Sequence, residues 1–298
     1  MQILKTEQYI NEKLTIQPVT KDMLSKMKEE PSVDENTRQF IEDNNLIWNP
    51  VTMSYDCEGD VAVSEDIVAG GKLKIRFGNV GGYFYCNDNN LTSLEGVPKE
   101  VGGNFHCSDN NLTTLEGAPK KVGGDFSCNH NNLATLEGAP QKVGGYFYCS
   151  NNNLTSLDGA PKEVGGSFDC SDNNLTTLEG APQEVSGDFD CDSNNLTSLE
   201  GASNKVGGGF YCYNNELTTL EGAPQKIGGD FACSSNELAT LEGAPQEVSG
   251  DFDCDSNNLT SLEGAPQKVG GNFYCRHNPN LVLPKEKPDW LKGMFNIE

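Results

Sequence analysis

Thiols and carboxylates are the groups in this chain whose types and spacing invite a chemical reading. Cysteines stand at 86, 107, 128, 149, 170, 191, 212, 233, 254 and 275, ten at a constant spacing of 21, with Cys57 outside the series. A column of thiols admits disulfides, a zinc centre or simple packing. Neighbours in the column come within disulfide range, but their side chains leave parallel strands in one direction and are expected among apolar rings. Zinc centres pair cysteines as C-x-x-C, a spacing missing here, and His106, His130 and His277 fall on the opposite face. The cysteines are therefore expected to be buried as small hydrophobes, with no metal and no cofactor.

The carboxylates are more numerous. Asp188-x-Asp190-x-Asp192 and its copy Asp251-x-Asp253-x-Asp255 match the start of a calcium loop, yet both lack the loop's later glycine and closing glutamate. Asp169 and Asp190, or Asp230 and Asp251, are expected side by side on neighbouring coils, which leaves weak cation binding open as a reading. No G-K-[ST] phosphate loop, H-E-x-x-H or G-x-S-x-G is present. An open acidic ramp has no enclosed cleft in which to raise one pKa and hold a substrate. The expectation is a chain that is not an enzyme and has no catalytic residues.

The elements that position these groups follow from the repeat itself. Phe stands two residues before each of the ten cysteines and Asn three after, while Leu follows five and eight after the first nine. One copy reads V-G-G-x-F-x-C-x-x-N-N-L-T-x-L-E-G-A-P-x-x. F-x-C alternates with period two, so Phe and Cys face inward from a short strand. The Asn column lies where the strand ends, and a stacked amide there satisfies backbone groups of its own and the adjacent coil, an asparagine ladder. Gly at two corners and Pro on the return path leave no room for a long helix. A strict period of this size signals a solenoid whose ends need caps.

The pattern F-x-C-x-x-N-x-L-x-x-L resembles the leucine-rich repeat, with Phe and Cys in two places where that family more often has Leu, over about residues 80 to 278. V-G-G-x-F-x-C with L-E-G-A-P is similar to short-period repeats in predicted proteins of bacteria and their phages. The resemblance implies a right-handed, curved solenoid with a parallel sheet on its concave side, and protein binding as the commonest role. The expected fold class is a mostly β solenoid with a small helical N-terminal region. It divides into short helices over 1–45, a β cap over 46–79, ten coils over 80–278 and a C-terminal cap over 279–298. Thr20 is expected to cap one helix and Ser32 or Asp34 another. Val68 to Ile75 reads as a degenerate coil, and Pro284, Pro288, Trp290 and Phe295 as the closing cap.

Charge narrows the partners. Forty-four acidic against 21 basic side chains give a formal charge of −23 and a pI near 4.4. Phosphate neutralisation needs clustered cations, so nucleic acid is not an expected ligand. Apolar runs are too short for a membrane span, and the N-terminus lacks a secretory pattern, so a cytoplasmic location is expected, or a virion if the chain is phage-encoded.

Positions three and one before each Cys, and one and two after it, vary while the frame stays fixed. They hold twelve aspartates, Arg276 as the one permanent cation, and seven of the nine tyrosines. The candidate partner-binding set drawn from them is Tyr83, Tyr85, Tyr146, Tyr148, Asp169, Asp188, Asp190, Asp192, Tyr211, Tyr213, Asp251, Asp253 and Tyr274. Tyrosines beside carboxylates on a rigid face have the composition of a recognition surface for a basic protein or peptide. Solvated Asp that only keeps the array soluble is the plainer reading. Two further alternatives are a structural or assembly component docking through its N-terminal region and an acidic decoy that mimics nucleic acid.

Overall fold

The computed structural model describes residues 29–282, 288–289 and 291–296. Thr20, Pro284 and Trp290 lie outside the described residues, so the expectations placed on them are not addressed. Helix α1 (Glu35–Asp43) is the first element among the described residues, and the Asp34 carboxylate accepts the N–H of Thr37 at 2.9 Å. An N-cap carboxylate supplies the acceptor that the first turn of a helix lacks. Lys74 adds a salt bridge at 3.2 Å to the same side chain, and together these contacts hold the Asp34 carboxyl below its usual range.

Ten coils follow, numbered here by their cysteines from Cys86 (coil one) to Cys275 (coil ten), and they build a parallel β-solenoid with two long sheets. The sequence resemblance implies one sheet; the structure has two, each of twelve strands. Strands of the second sheet are the two residues Phe-x, from Phe84–Tyr85 to Phe273–Tyr274, paired in register with Phe against Phe. Strands of the first sheet are a charged residue and Val or Ile, such as Glu163–Val164 and Lys205–Val206. In both, alternation sends one side chain of the pair inward and the other out. The two sheets meet at the Gly-Gly corner.

The core is a set of columns. Phe rings stack at centroid distances of 5.0 to 5.8 Å from Phe84 to Phe273, and the Phe, Cys and most Leu side chains are fully enclosed. Each ring is buried mainly by the coil above and the coil below, so no coil is stable alone. Asn173 shows how the turn is closed: its amide donates to the carbonyls of Cys149, Cys170 and Ser171, and its Oδ1 accepts the N–H of Leu154. A buried amide thereby satisfies backbone groups of two coils.

Both ends differ from the sequence expectation in detail. Val68–Ala69 and Lys72–Leu73 form an antiparallel hairpin, not a degenerate coil. Gly70 and Gly71 at φ +57° and +76° make the tight turn that this pairing demands. Strand β1 (Ile47–Asn49) runs antiparallel to β2 (Ser54–Cys57) and covers one edge of the first sheet. At the far end Leu291 bridges Val269, and Phe295–Asn296 adds a strand beside Phe273–Tyr274. The C-terminal segment thus extends both sheets by a partial coil.

Candidate tyrosine and aspartate face

The outer side of the second sheet carries the varying positions, and register sets their neighbours. Residues one before Cys form a row in which Tyr148, Asp169, Asp190 and Tyr211 are consecutive partners on coils four to seven. Tyr85 stands beside His106 in the same row, and Asp253 beside Tyr274. Tyr83 with Tyr85, and Tyr146 with Tyr148, pair within a coil at ring distances of 5.8 and 5.7 Å. Tyr83 and Tyr146 are 42% and 43% exposed, and the only other exposed large apolar side chains among the described residues sit near the two ends of the chain's fold.

Positions three before Cys do structural work. Asp125 Oδ1 accepts the N–H of Tyr146 at 2.8 Å, Asp188 Oδ1 that of Gly209 at 2.7 Å, and Asp251 Oδ1 that of Asn272 at 2.6 Å. Each carboxylate satisfies a backbone donor of the next coil at the Gly-Gly corner. Tyr83 and Tyr146 occupy the same column but carry no carboxylate, which frees their rings for solvent.

Positions after Cys are less outward than strand alternation predicts. All ten residues two after Cys, from Asp88 to His277, are left-handed at φ +51° to +56°. Asn, Asp and His tolerate that region best among non-glycine residues, so conformation restricts this column as much as recognition does. Residues one after Cys are buried or half-buried, and Asp192 is only 8% exposed. Ser193 donates to Asp192 Oδ2 at 2.6 Å, which satisfies one oxygen of this carboxylate. Tyr213 is pushed up to about 12, first by burial and then by the charges of Asp192 and Asp190. Asp188, Asp190, Asp251, Asp253, Tyr211 and Tyr274 are half-buried.

Electrostatics concentrate at coils five to seven. Asp190 is pushed up to about 8, first by burial, then by its hydrogen bond and charge repulsion with Asp192 and by the charge of Asp169. Asp253, its counterpart three coils on, is also raised, chiefly by burial, but Arg276 pulls it back. Arg276 binds Asp255 through its N–H at 2.6 Å, Nε at 2.8 Å and one terminal nitrogen at 2.7 Å. By contrast the first sheet's outer column is balanced, with Lys142–Glu163 and Lys226–Glu247 among its exposed ion pairs. The excess negative charge therefore belongs to the second sheet's face and to the Glu corner.

Two residues of this surface escape sequence reasoning. His106 packs edge-on against Tyr85 at 5.1 Å, its Nε2 is buried without a hydrogen-bond partner, and burial lowers its pKa. Asp255 looks like its equivalent Asp192 until register places Arg276 beside it. The signal was there: Arg276 is the sole permanent cation in the varying columns, one coil from an Asp. A groove of about 960 Å³ lies on the first sheet, lined by Asn49, Thr52, Asp56, Cys57, Lys121 and Lys142 among others. Among the described residues no three His, Cys, Asp or Glu side chains converge to hold a metal ion, and no helix is long and apolar enough to cross a membrane.

No family model matches the chain, and neither does any curated protein. Among solved structures, YopM from Yersinia enterocolitica WA-314 is similar over 82% of this chain and 80% of that one, at 14% identity and a TM-score of 0.31. A score of that size carries no conclusion about fold or function.

Proposed function

We propose that this chain is a non-enzymatic interaction module that binds a basic protein or peptide on the outer face of its second sheet. The observation that carries the reading is the pair of tyrosine clusters, Tyr83 with Tyr85 and Tyr146 with Tyr148, presented on a rigid sheet beside carboxylates with almost no cation among them. Tyrosine gives large contact area at small entropic cost, and surrounding charge steers a partner of opposite sign. The first sheet offers a different surface, where Lys and Glu neutralise each other along the stack.

The solubility reading accounts for part of the acidity, since the corner carboxylates bond backbone and Asp192 is enclosed. It does not account for exposed tyrosines, which add nothing to solubility. Docking through residues 1–45 depends mainly on residues that lie outside the described ones.

The test compares capture by the intact chain and by a Tyr83→Ala, Tyr85→Ala, Tyr146→Ala, Tyr148→Ala variant, from native lysate with mass spectrometry. The expected result is a basic protein enriched by the first and lost by the second, with capture weakening as salt is raised. Equal capture by both, with the variant folded, would make the face decoration. A further chain lacking residues 1–45 that keeps its coils but loses the partner would transfer the function to the N-terminal region.

A further inference from the structure

The chain contains one acidic segment twice, and in only one of its two settings is that segment occupied by a cation. Thr177 to Ala202 is identical to Thr240 to Ala265, so Asp188, Asp190 and Asp192 on coil six repeat as Asp251, Asp253 and Asp255 on coil nine. The next coil supplies a tyrosine to both at the same register, Tyr211 beside Asp190 and Tyr274 beside Asp253. The corner bonds repeat as well, from Asp188 to Gly209 and from Asp251 to Asn272.

What differs is the residue after the next cysteine. On coil ten it is Arg276, whose guanidinium grips Asp255 and lies 5.5 Å from the centre of the Tyr274 ring. On coil seven it is Tyr213, a neutral side chain that brings no positive charge to Asp192. The counterpart of Asp192, beside the counterpart of Tyr211, thus holds a guanidinium in one copy, while Asp192 has no cation beside it in the other.

We propose that Asp190, Asp192 and the ring of Tyr211 form a subsite for an arginine side chain of the basic partner. The subsite rests on the face assigned above and makes its ligand chemistry specific. Arginine fits because it combines a planar cation that stacks on an aromatic ring with paired donors that match carboxylate. Asp190 and Tyr211 are half-exposed while Asp192 is only 8% exposed and accepts a hydrogen bond from Ser193, so an incoming guanidinium meets Asp190 first.

The groups around Asp190 are Asp169 and Asp172 on coil five, Asp188 and Asp192 on its own coil, Tyr211 and Tyr213 on coil seven, and Asp230 beyond Tyr211. None of these is a cation. With its proton held up to about pH 8, Asp190 must release that proton when a guanidinium binds. Binding therefore strengthens as pH rises through the range in which Asp190 ionises.

The probe is acetyl-Gly-Arg-Gly-amide titrated into the full chain, with the citrulline and lysine versions as controls. Ring resonances of Tyr211 and Tyr274 are followed by NMR and assigned through Tyr211→Phe and Tyr274→Phe. Tyr211 should respond saturably to arginine, not to citrulline, and more weakly to lysine, while Tyr274 stays silent. Tyr213→Arg should close the subsite from within and abolish the Tyr211 response. Arg276→Tyr should open the second copy, so that Tyr274 begins to respond. A Tyr211 response that survives Tyr213→Arg in a folded protein, or a Tyr274 that stays silent in Arg276→Tyr, overturns the proposal. If the native partner is lost on changing the coil-one and coil-four tyrosines but not on Tyr213→Arg, the face stands and the arginine subsite falls.

Discussion

Cys170 gives two hydrogen bonds to a single atom: its backbone N–H at 2.9 Å and its thiol at 3.2 Å both point to the carbonyl oxygen of Asp190 in the next coil. Cys149 does the same to Asp169 and Cys254 to Tyr274. The cysteine column is thus a set of small enclosed side chains that tie neighbouring coils, and all ten are buried and outside any disulfide.

Thiol reactivity should follow from that geometry. Burial pushes Cys170, Cys191 and Cys212 well above the ordinary thiol range, so little thiolate exists at neutral pH. A water-soluble thiol reagent should label the native column slowly and all eleven cysteines after denaturation. Rapid native labelling of the central coils would show that the column is reached from solvent.

Phe168 stacks between Phe147 at 5.5 Å and Phe189 at 5.4 Å and is fully enclosed. Phe168→Ala removes two ring contacts and opens a cavity that neighbouring coils cannot close, because their backbones are fixed by ladder bonds. The expected cost is about 3 to 5 kcal/mol, read as a lower melting temperature. Since long arrays lose two-state behaviour, circular dichroism and tyrosine fluorescence should be recorded together, and the two transitions should separate in this variant. An unchanged melt would mean that the stack contributes no stability.

Gly180 sits in the corner after the leucines at φ +90°, and a Cβ there would stand 2.7 Å from the carbonyl of Leu157 in the preceding coil. Gly180→Ala therefore meets both backbone strain and a backbone clash. A loss of about 1 to 3 kcal/mol is expected from the conformation alone. Gly59 has open space around it and no left-handed requirement, so Gly59→Ala is the matched control and should melt with the wild type.

How much of this was legible before the structure depends on what each residue answers to. Phe168 and Cys170 face inward because of parity within one strand, and parity can be counted along a sequence. Glu163–Val164 is a strand of two residues with one inward side chain, too short to show a period, so the first sheet left no alternation to count. Val68 to Leu73 alternates like a coil, yet Gly70-Gly71 folds it back as a hairpin. Asp192 and Asp188 look like solvated aspartates on one strand. Only the stacked structure shows that one is enclosed and bonded by Ser193 and that the other accepts the N–H of Gly209.

Asp190 makes stability depend on pH in a direction that can be worked out. In the unfolded chain its carboxyl ionises near the usual value of about 4, whereas burial and the neighbouring Asp192 and Asp169 push it up to about 8 in the folded chain. Between those values the folded state holds one more proton than the unfolded state. Stability must then fall as pH rises, with a slope of at most about 1.4 kcal/mol per pH unit, reduced because the carboxyl is partly solvated. The contribution is fully present below about pH 4 and lost as pH passes through about 8. Asp190→Asn removes the titration while keeping the shape of the side chain. The difference in melting temperature between Asp190→Asn and wild type should therefore widen in favour of the variant from pH 5 to pH 9. Asp253→Asn should show a smaller widening, because Arg276 already offsets the charge at the second copy. Parallel pH profiles for the wild type and Asp190→Asn would mean that Asp190 is ionised throughout, and the acidic face would then carry its full charge at neutral pH.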